Sequence, residues 1–369
     1  SWEVMESLRY TSIVEGLPAT VPFVGPETLE RMSGRPLLVR MGANESAFGI
    51  SPRARAAMRA AVDSLSLYND PESHDLAVAL AERHAVSRRE IGISAGIDDL
   101  LGLVVRLFVE PGDPVVTSLG SYPTFNYHVN GYGGRLEQVP YAEDRADLDG
   151  LLTRVRETGS RLVYLANPDN PMGTWHEAAA VRAFVAALPD DCVLILDEAY
   201  LDFAPPEAAA EMNTTERGVL RMRTFSKAHG MAGARVGYMV AHVELVGALD
   251  KIRNHFGVNR VAQAGALASL GDEGFTRHVV EQVAVGRREY EEIATELGLT
   301  AVPSATNFVC IDVGDGARAR RIQQALLDRD VFVRMPSVAP QDRCIRATVG
   351  TPEQRTVFAR IFRDVVGAT

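Results

Sequence analysis

Short apolar runs alternate with amphipathic segments over much of the chain, from about residue 90 to about residue 241. Each run is followed by a loop or by a segment in which apolar residues recur at helical spacing. The run VLIL at 193–196 is apolar at every position, which is typical of parallel strands buried on both faces. The pattern predicts an α/β fold in which helices cover a sheet. The other candidate strands lie in EIGISAG (90–96), PVVTSL (114–119), RLVYLANP (161–168), GVLRMRTFS (218–226) and RVGYMVA (235–241).

The pattern divides the chain into three regions. Residues 1–35 have weak periodicity and contain Pro18, Pro22 and Pro26, so we expect an arm that packs on a small domain or on a partner subunit. Residues 36–258 form the predicted large domain, and residues 259–369 a smaller α+β domain. In this last region we predict helices at about 274–298 and 317–329, strands at 307–313, 331–335 and 344–348, and a final helix that begins at Thr351-Pro352.

The composition is that of a globular protein, with 46% hydrophobic and 23% charged residues among 369. The net charge of −10 and the scattered arginines argue against nucleic-acid binding. No apolar run approaches the ~20 residues of a membrane helix, and the first residues have no basic signal region, so we expect a cytoplasmic protein without a membrane segment. Cys192, Cys310 and Cys344 are expected to be buried thiols, and the eight histidines lack metal-ligand spacing, so no metal is expected.

Lysine is rare, because Lys227 and Lys251 are the only lysines among 38 lysine and arginine residues. Lys227 follows an apolar run in RTFSKAHGMAGARVGYMV (223–240), has small neighbours and precedes Arg235 by eight residues. Most lysines are solvated surface groups, which is the simplest interpretation of Lys251 in ALDKIRNHF. A lysine in an apolar or cationic setting can instead attack a carbonyl carbon, which arginine cannot do because it stays protonated. Lys227 is therefore a candidate nucleophile.

Asp197 in CVLILDEAYLDF (192–203) ends a predicted buried strand, where α/β folds bind their ligands. A hydrophobic run followed by Asp-Glu also has the shape of the Walker-B strand of nucleotide hydrolases. That interpretation requires a GxxxxGK[ST] motif, and the sequence contains no Gly-Lys pair. A buried acid at this position can alternatively pair with the protonated ring nitrogen of pyridoxal.

Two loops complete the candidate site. NPDNPMG (167–173) follows a predicted strand and is rich in turn signals; in isolation it would be an ordinary loop, but its spacing ahead of Asp197 favours a functional one. SAGIDD (94–99) is a small-residue turn that opens a helix. The backbone amides near Gly96, Ile97 and Asp98 could therefore bind a phosphate.

In this order and spacing, the four segments resemble the fold-type I pyridoxal phosphate enzymes, and within them the class I/II aminotransferases of the histidinol-phosphate aminotransferase type. The resemblance extends from MGANESAFGISP (41–52) to IRATVGTPEQ (345–354). It implies a three-layer, mostly parallel sheet with a smaller C-terminal domain. It also implies an enzyme that uses pyridoxal 5′-phosphate to move an amino group from an amino acid or amine to a 2-oxo acid such as 2-oxoglutarate.

The resemblance also implies the roles of the residues at the cofactor. Lys227 would bind it covalently and then move a proton between the substrate and the cofactor, while Asp197 would pair with the pyridine nitrogen. Tyr200 and Asn170 would hydrogen-bond its phenolic oxygen, and Tyr122 would stack on its ring. The residues implied to hold its phosphate are Ser226, Arg235 and the backbone of Gly96, Ile97 and Asp98, with Tyr68 reaching the phosphate of a neighbouring subunit in a homodimer with shared active sites.

Fewer positions are implied to bind the substrate. Arg346 matches the arginine that pairs with the substrate carboxylate or the equivalent end of the substrate. Asn44, Asn307, Arg334 and Glu45 match positions near the substrate. Histidinol-phosphate enzymes often carry a tyrosine and an arginine where this chain has Phe23 and Asp312, and these changes would weaken binding of a substrate phosphate. This departure favours an aromatic or other non-phosphorylated amino acid as substrate.

Two alternatives stay open from the sequence. The first is a decarboxylase or lyase that uses Lys227 and Asp197 on the same fold, because motifs at the cofactor do not determine which substrate bond breaks. The second is a non-catalytic regulator that has kept the fold. The intact set of Lys227, Asp197 and Arg235, without an added DNA-binding domain, argues against a regulator.

Overall fold

The computed structural model of the protein describes residues 8–20 and 23–369. The strands are β1 (Val39–Arg40), β2 (Ile91–Ser94), β3 (Pro114–Ser118), β4 (Arg135–Val139), β5 (Leu162–Ala166), β6 (Val193–Asp197), β7 (Val219–Thr224), β8 (Gly237–Val240), β9 (Thr300–Ala301), β10 (Phe308–Asp312), β11 (Val331–Phe332) and β12 (Cys344–Thr348). The helices are α1 (Ser12–Glu15), α2 (Pro26–Ser33), α3 (Pro52–Val62), α4 (His74–His84), α5 (Ile97–Phe108), α6 (Pro123–Gly131), α7 (Leu148–Thr158), α8 (Ala178–Ala187), α9 (Val243–Leu249), α10 (Arg260–Leu270), α11 (Glu273–Glu296), α12 (Gly316–Asp328) and α13 (Pro352–Gly367).

Seven strands form the central sheet in the order β2-β8-β7-β6-β5-β3-β4. The five strands from β7 to β4 run parallel, and β8 runs antiparallel to both of its neighbours. The predicted α/β fold with a mostly parallel sheet is confirmed. Parallel strands end at the same edge of a sheet, so the residues after β5, β6 and β7 are brought together there.

Helices cover both faces of this sheet, which gives three layers. Tyr164 on β5 packs in a core with residues of α5 and α6, including Leu100 and Phe125. The alternate residue Val163 packs on the opposite face with residues of α7 and α8, including Phe184. Each strand therefore needs apolar residues at nearly every position, which explains the continuous apolar runs in the sequence.

The C-terminal region has its own antiparallel sheet, in the order β12-β10-β9. Its core lies between this sheet and helices α11–α13, with Tyr290 and Phe358 fully buried and in ring contact. Helix α13 begins as predicted, because the Thr351 side chain accepts a hydrogen bond from the Gln354 amide in a capping box. The predicted strand at 331–335 is shorter, since β11 ends at Phe332 and Arg334 forms a separate bridge to Arg346.

A segment near the N-terminus, strand β1 and the residue after it, packs on the C-terminal region although it precedes the central sheet in sequence. Strand β1 pairs in parallel with β11, and the Met41 carbonyl accepts a hydrogen bond from the Thr348 amide, so this segment adds to the C-terminal region. The division into residues 1–35, 36–258 and 259–369 stays a prediction. Within the predicted arm, residues 1–7 and 21–22, including Pro22, lie outside the described residues.

Cys192, Cys310 and Cys344 are buried free thiols, as predicted. In the part of the chain that the structure describes, no helix combines the length and apolar character needed to cross a membrane.

Candidate active site

A cavity of about 600 Å³ lies at the carboxyl edge of the central sheet and is bounded on one side by the C-terminal region. Nearly all the residues predicted from the sequence line it; Gly96, Asn307, Tyr68 and Glu45 do not. The predicted residues on its wall are Asn44, Ile97, Asp98, Tyr122, Asn170, Asp197, Tyr200, Ser226, Lys227, Arg235, Arg334 and Arg346.

Lys227 lies in the tight turn that follows β7. The turn is closed by a hydrogen bond from the Gly230 amide to the Lys227 carbonyl, 3.0 Å long. Gly230 has a φ of +70°, and a side chain there would overlap the carbonyl oxygen of Gly49, so only glycine fits. The turn directs Lys227 into the cavity, where its Nζ lies 5.3 Å from the centre of the Tyr200 ring.

Asp197 ends β6 at the floor of the cavity and is 5% exposed. Its Oδ2 accepts a 2.6 Å hydrogen bond from the Tyr164 hydroxyl, and its Oδ1 accepts one of 3.1 Å from the Ala199 amide. Burial raises the pKa of Asp197 to about 6, and the two hydrogen bonds oppose that rise. Its carboxyl group is therefore poised to ionise near neutral pH, and a cation beside it would favour the charged form.

Tyr200, Asn44 and Asn307 are connected by hydrogen bonds. The Asn44 Nδ2 donates to the Tyr200 hydroxyl over 3.2 Å, and the Asn307 Nδ2 donates to the Asn44 carbonyl over 2.9 Å. Asn307 is buried behind Asn44, and in this structure it reaches the cavity only through Asn44. Asn44 has a φ of +57°, a conformation that asparagine tolerates better than most residues.

Helix α5 begins at the cavity wall with a left-handed glycine. Gly96 has a φ of +88°, and a Cβ there would lie 2.5 Å from the Arg235 Nη2, so the glycine lets the guanidinium lie against the helix start. The Asp98 carboxylate accepts a 2.5 Å hydrogen bond from the Tyr122 hydroxyl. Burial, with the Asp98 charge, raises the pKa of Tyr122 well above its ordinary value, so this phenol stays protonated. The first amides of α5 have no carbonyl partner within the helix and lie beside a cation.

Arg346 and Arg334 lie side by side on the wall formed by the C-terminal region. Their backbones form an antiparallel bridge with hydrogen bonds of 2.8 and 3.2 Å. The Arg346 guanidinium donates to the Asn170 side-chain oxygen and to the Gly42 carbonyl, each over 2.9 Å. Desolvation lowers the pKa of Arg346, and its Nε is buried without a hydrogen-bond partner among the described residues. The Arg334 guanidinium donates to the Val24 carbonyl over 2.8 Å.

Of three further positions named from the sequence, Phe23 lines the cavity and Asp312 and Tyr68 do not. Phe23 is on the cavity wall and is 43% exposed. Asp312 does not line the cavity, because its carboxylate accepts a 2.9 Å hydrogen bond from Arg343, which also binds Asp144 over 2.7 Å. The expected repulsion of a substrate phosphate by Asp312 is therefore wrong. Tyr68 is on the surface outside the cavity, 79% exposed, and its ring stacks on Phe256.

Tyr164 is the member of this site that sequence reasoning missed. It lies in the middle of β5 and shares a face of the sheet with Ala166, whose register partner is Asp197. A signal was present, because a tyrosine in an otherwise apolar buried strand requires a partner for its hydroxyl. Identifying Asp197 as that partner required the pairing of β5 with β6.

A lysine, a buried aspartate and a cationic helix start, gathered at the carboxyl edge of a mostly parallel three-layer sheet, define a pyridoxal phosphate enzyme of fold type I. The sequence profile of the aminotransferase class I and II family matches residues 37–362, and the chain belongs to this family. The protein is accordingly a pyridoxal phosphate-dependent aminotransferase, and a decarboxylase or lyase is not favoured.

Relatives and solved structures agree with this assignment. The chain is 38% identical over 321 residues to histidinol-phosphate aminotransferase 2 of Ralstonia nicotianae, which covers 86% of each protein. It is 34% identical to histidinol-phosphate aminotransferase 2 of Carboxydothermus hydrogenoformans over 96% of this chain and 98% of the relative. The crystal structure of the Sinorhizobium meliloti histidinol-phosphate aminotransferase in complex with pyridoxal 5′-phosphate superposes with a TM-score of 0.96, at 48% identity and 99% coverage of both chains.

Proposed function

We propose that this aminotransferase moves the amino group of histidinol phosphate to a 2-oxo acid such as 2-oxoglutarate, with an aromatic amino acid as the second candidate donor. The observation that carries the proposal is the pair of guanidinium groups, Arg346 and Arg334, on one wall of the cavity. Two adjacent cations favour an anionic substrate group, and arginine binds carboxylates and phosphates through paired hydrogen bonds. The relatives named histidinol-phosphate aminotransferases support a phosphorylated donor.

The residues at the floor of the cavity fit pyridoxal phosphate. The wall holds a lysine for covalent attachment and the buried carboxylate of Asp197 for the ring nitrogen. At the helix start, the Gly96 position has no room for a side chain beside Arg235, which leaves the first amides of α5 and Ser226 to receive the phosphate. When bound, the cofactor supplies an aldehyde and a ring that accepts electrons from the substrate Cα.

The side chains of this chain then divide the work. Lys227 would take the proton from the substrate Cα and deliver it to the carbon that carries the cofactor aldehyde, because an amine can act first as base and then as acid at one position. Tyr200 and Asn170 would donate hydrogen bonds to the phenolic oxygen of the cofactor, and Tyr122 would cover one face of the ring. Asn44 and, behind it, Asn307 would hold Tyr200 and the substrate end of the cavity in place.

The position of Asp312 supports a phosphorylated amino donor over a non-phosphorylated one. The sequence favoured a non-phosphorylated donor through Phe23 and Asp312. Asp312 is paired with Arg343 outside the cavity, whereas Arg334 contributes a cation to its wall. Phe23 still lacks the hydroxyl of a tyrosine, but its ring adds an apolar surface suited to an imidazole or another aromatic ring.

We propose a homodimer in which Tyr68 completes the active site of the neighbouring subunit. The support is a group of exposed apolar side chains around Tyr68, since such patches mark interaction surfaces; they are Leu65, Leu67 and Phe256. Mixing Lys227→Ala and Tyr68→Ala subunits would then form one site with both residues intact. Activity above that of either variant alone is expected, and no gain after subunit exchange contradicts shared sites.

We also propose the large domain at 36–258, the small domain at 259–369 and the arm at 1–35, together with a cytoplasmic location. The separate sheets and cores support the two domains. The three free thiols suit a reducing compartment.

A panel of amino donors tests the proposed reaction. The enzyme, loaded with pyridoxal phosphate, is incubated with 2-oxoglutarate and histidinol phosphate, histidinol, phenylalanine, tyrosine or aspartate, and the glutamate formed is measured. We expect the highest kcat/KM with histidinol phosphate. A higher kcat/KM with phenylalanine or tyrosine establishes the second candidate, and turnover of aspartate alone contradicts both.

A further inference from the structure

The hydroxyl of Tyr164 makes the shortest hydrogen bond received by Asp197, at 2.6 Å. Tyr164 lies in the centre of β5, and its side chain is 1% exposed. Its ring stacks on Phe125 with centroids 4.7 Å apart, and Phe125 itself is fully buried. The direction of the hydroxyl is therefore set by the packed core between the sheet and α6.

The two hydrogen bonds to Asp197 determine how its carboxyl group faces the cavity. Tyr164 occupies Oδ2, and the Ala199 amide occupies Oδ1. A carboxylate has about four acceptor positions, so each oxygen keeps one for a donor in the cavity. Both donors stabilise the ionised carboxylate. Protonation of the oxygen that accepts either hydrogen bond would weaken that hydrogen bond.

We propose that Tyr164 is a positioning residue, which holds Asp197 ionised and aimed at the ring nitrogen of the cofactor. The inference rests on the proposed role of Asp197 as the partner of that nitrogen. Tyr164 acts through Asp197 and needs no contact with the substrate. The pyridine nitrogen keeps its proton only while a negative charge lies beside it. The Tyr164 hydroxyl would therefore control the protonation of that nitrogen through Asp197.

The groups around Asp197 favour its protonated form, and the hydrogen bond from Tyr164 opposes them. Burial, Asp98 and Glu198 all raise the pKa of Asp197, and Tyr164 provides the largest opposing effect, followed by the Ala199 amide. Glu198 is itself held by ion pairs with Arg221 and Arg223, which keep its charge fixed. Asp169 lies close enough for the Asp197 charge to raise its pKa. The other titratable or charged side chains on the cavity wall are Tyr122, Tyr200, Lys227, Arg235, Arg334 and Arg346. Removing the Tyr164 hydroxyl would therefore raise the pKa of Asp197 further above about 6.

The test is Tyr164→Phe, which keeps the ring stack on Phe125 and removes only the hydroxyl. The dissociation constant of pyridoxal phosphate from the apoprotein is measured by calorimetric titration across neutral pH. A hydrogen bond to a charged group is worth about one to two pKa units, so the pH below which affinity falls should rise by about one unit. Below neutral pH the affinity of the variant should be about tenfold weaker. The absorption band of the bound cofactor should show the same displaced pH dependence.

Tyr290→Phe is the matched control, because it also removes a fully buried hydroxyl, one that donates to the Thr348 carbonyl over 2.9 Å. It should lower thermal stability without moving the pH dependence of cofactor binding. A displacement of similar size in both variants would assign the effect to general loosening and overturn the proposal.

A double-mutant cycle with Asp197→Asn separates an effect through Asp197 from any other. Tyr164→Phe should weaken cofactor binding in the wild-type background and have no further effect in Asp197→Asn. Equal weakening in both backgrounds, or no change in the wild-type background, overturns the role of Tyr164 while leaving the proposed function intact. Absence of cofactor binding by the wild-type protein would instead contradict the proposed function.

Discussion

The guanidinium of Arg346 and the side-chain oxygen of Asn170 lie 2.9 Å apart, which joins the last strand of the C-terminal sheet to the loop after β5. The bond determines which way the Asn170 amide faces. Arginine can only donate, so the Asn170 Oδ1 points towards Arg346 and its Nδ2 is free to donate. Asn170 can therefore donate to an oxygen of the cofactor, as the sequence predicts, because a residue far along the chain orients it.

Arg346→Lys is expected to lower kcat/KM by about 10- to 100-fold. A lysine cannot donate hydrogen bonds to Asn170, to the Gly42 carbonyl and to an anionic substrate at the same time. Steady-state kinetics with the best donor measure the effect. Arg343→Lys is a suitable control, since Arg343 belongs to the same chain segment but pairs with Asp144 and Asp312 outside the cavity. Equal losses in the two variants would contradict a substrate role for Arg346.

The scarcity of lysine allows an unusually clear labelling experiment. Borohydride reduction of the enzyme loaded with pyridoxal phosphate should fix the cofactor to Lys227, and peptide mass spectrometry locates the label. Lys227→Ala should abolish both labelling and glutamate formation. Lys251→Ala is the matched control, because Lys251 is the only other lysine and is exposed. Labelling that survives in Lys227→Ala contradicts the assignment.

Arg334→Gln should lower the preference for a phosphorylated donor. The ratio of kcat/KM for histidinol phosphate to that for histidinol is expected to fall about tenfold or more, because a charge-assisted pair to the phosphate is lost. Arg329→Gln removes a cation of the same region that pairs with Asp364 on the surface, and it should leave the ratio unchanged. If the ratio stays at its wild-type value in Arg334→Gln, another group binds the phosphate.

Asp169 gives a prediction about stability and pH. It lies in the same loop as Asn170, and burial raises its pKa from 3.8 to about 7, despite hydrogen bonds from Tyr141 and the Met172 amide. A raised pKa in the folded state means that the unfolded state loses its proton first, so stability contributed by this group declines between about pH 4 and pH 7. The decline is at most about 1.4 kcal/mol per pH unit.

Asp169→Asn cannot ionise, so its melting temperature relative to wild type should rise with pH through this window and then level off. Parallel thermal melts at several pH values measure the difference. Asp70→Asn should show no trend in this window and the opposite trend below about pH 4, because backbone hydrogen bonds from His74 and Glu72 lower the pKa of Asp70 below its ordinary 3.8. A difference between Asp169→Asn and wild type that is constant with pH would contradict the assignment.

Features carried by one segment could be predicted from the sequence. The apolar run before Asp197 marks a strand buried on both faces, because only such a strand needs apolar residues at every position. The capping residue Thr351 marks the start of α13, because its partner Gln354 is three residues away. The turn at Lys227 depends on its own small residues and so is visible as a motif. These local motifs also contain the residues that lie together in one cavity at the carboxyl edge of the sheet.

Relationships between distant segments required the structure. Nothing near Asp312 in the chain indicates that Arg343 binds it, and nothing near Tyr164 indicates that Asp197 accepts a hydrogen bond from its hydroxyl. Both pairs follow from register: Asp312 lies opposite Cys344, next to Arg343, and the residue two positions after Tyr164 lies opposite Asp197. A shift of one residue in either pairing would turn these side chains to the other face of the sheet.

The sequence by itself therefore determined the fold class, the family resemblance and the lysine available for covalent chemistry, because each is expressed in residues close together along the chain. The tertiary structure decided that Arg334 and not Asp312 faces the cavity, that Arg346 orients Asn170, and that Tyr164 supports Asp197. Those arrangements depend on strand order and register, which arise from packing between segments that are distant in sequence.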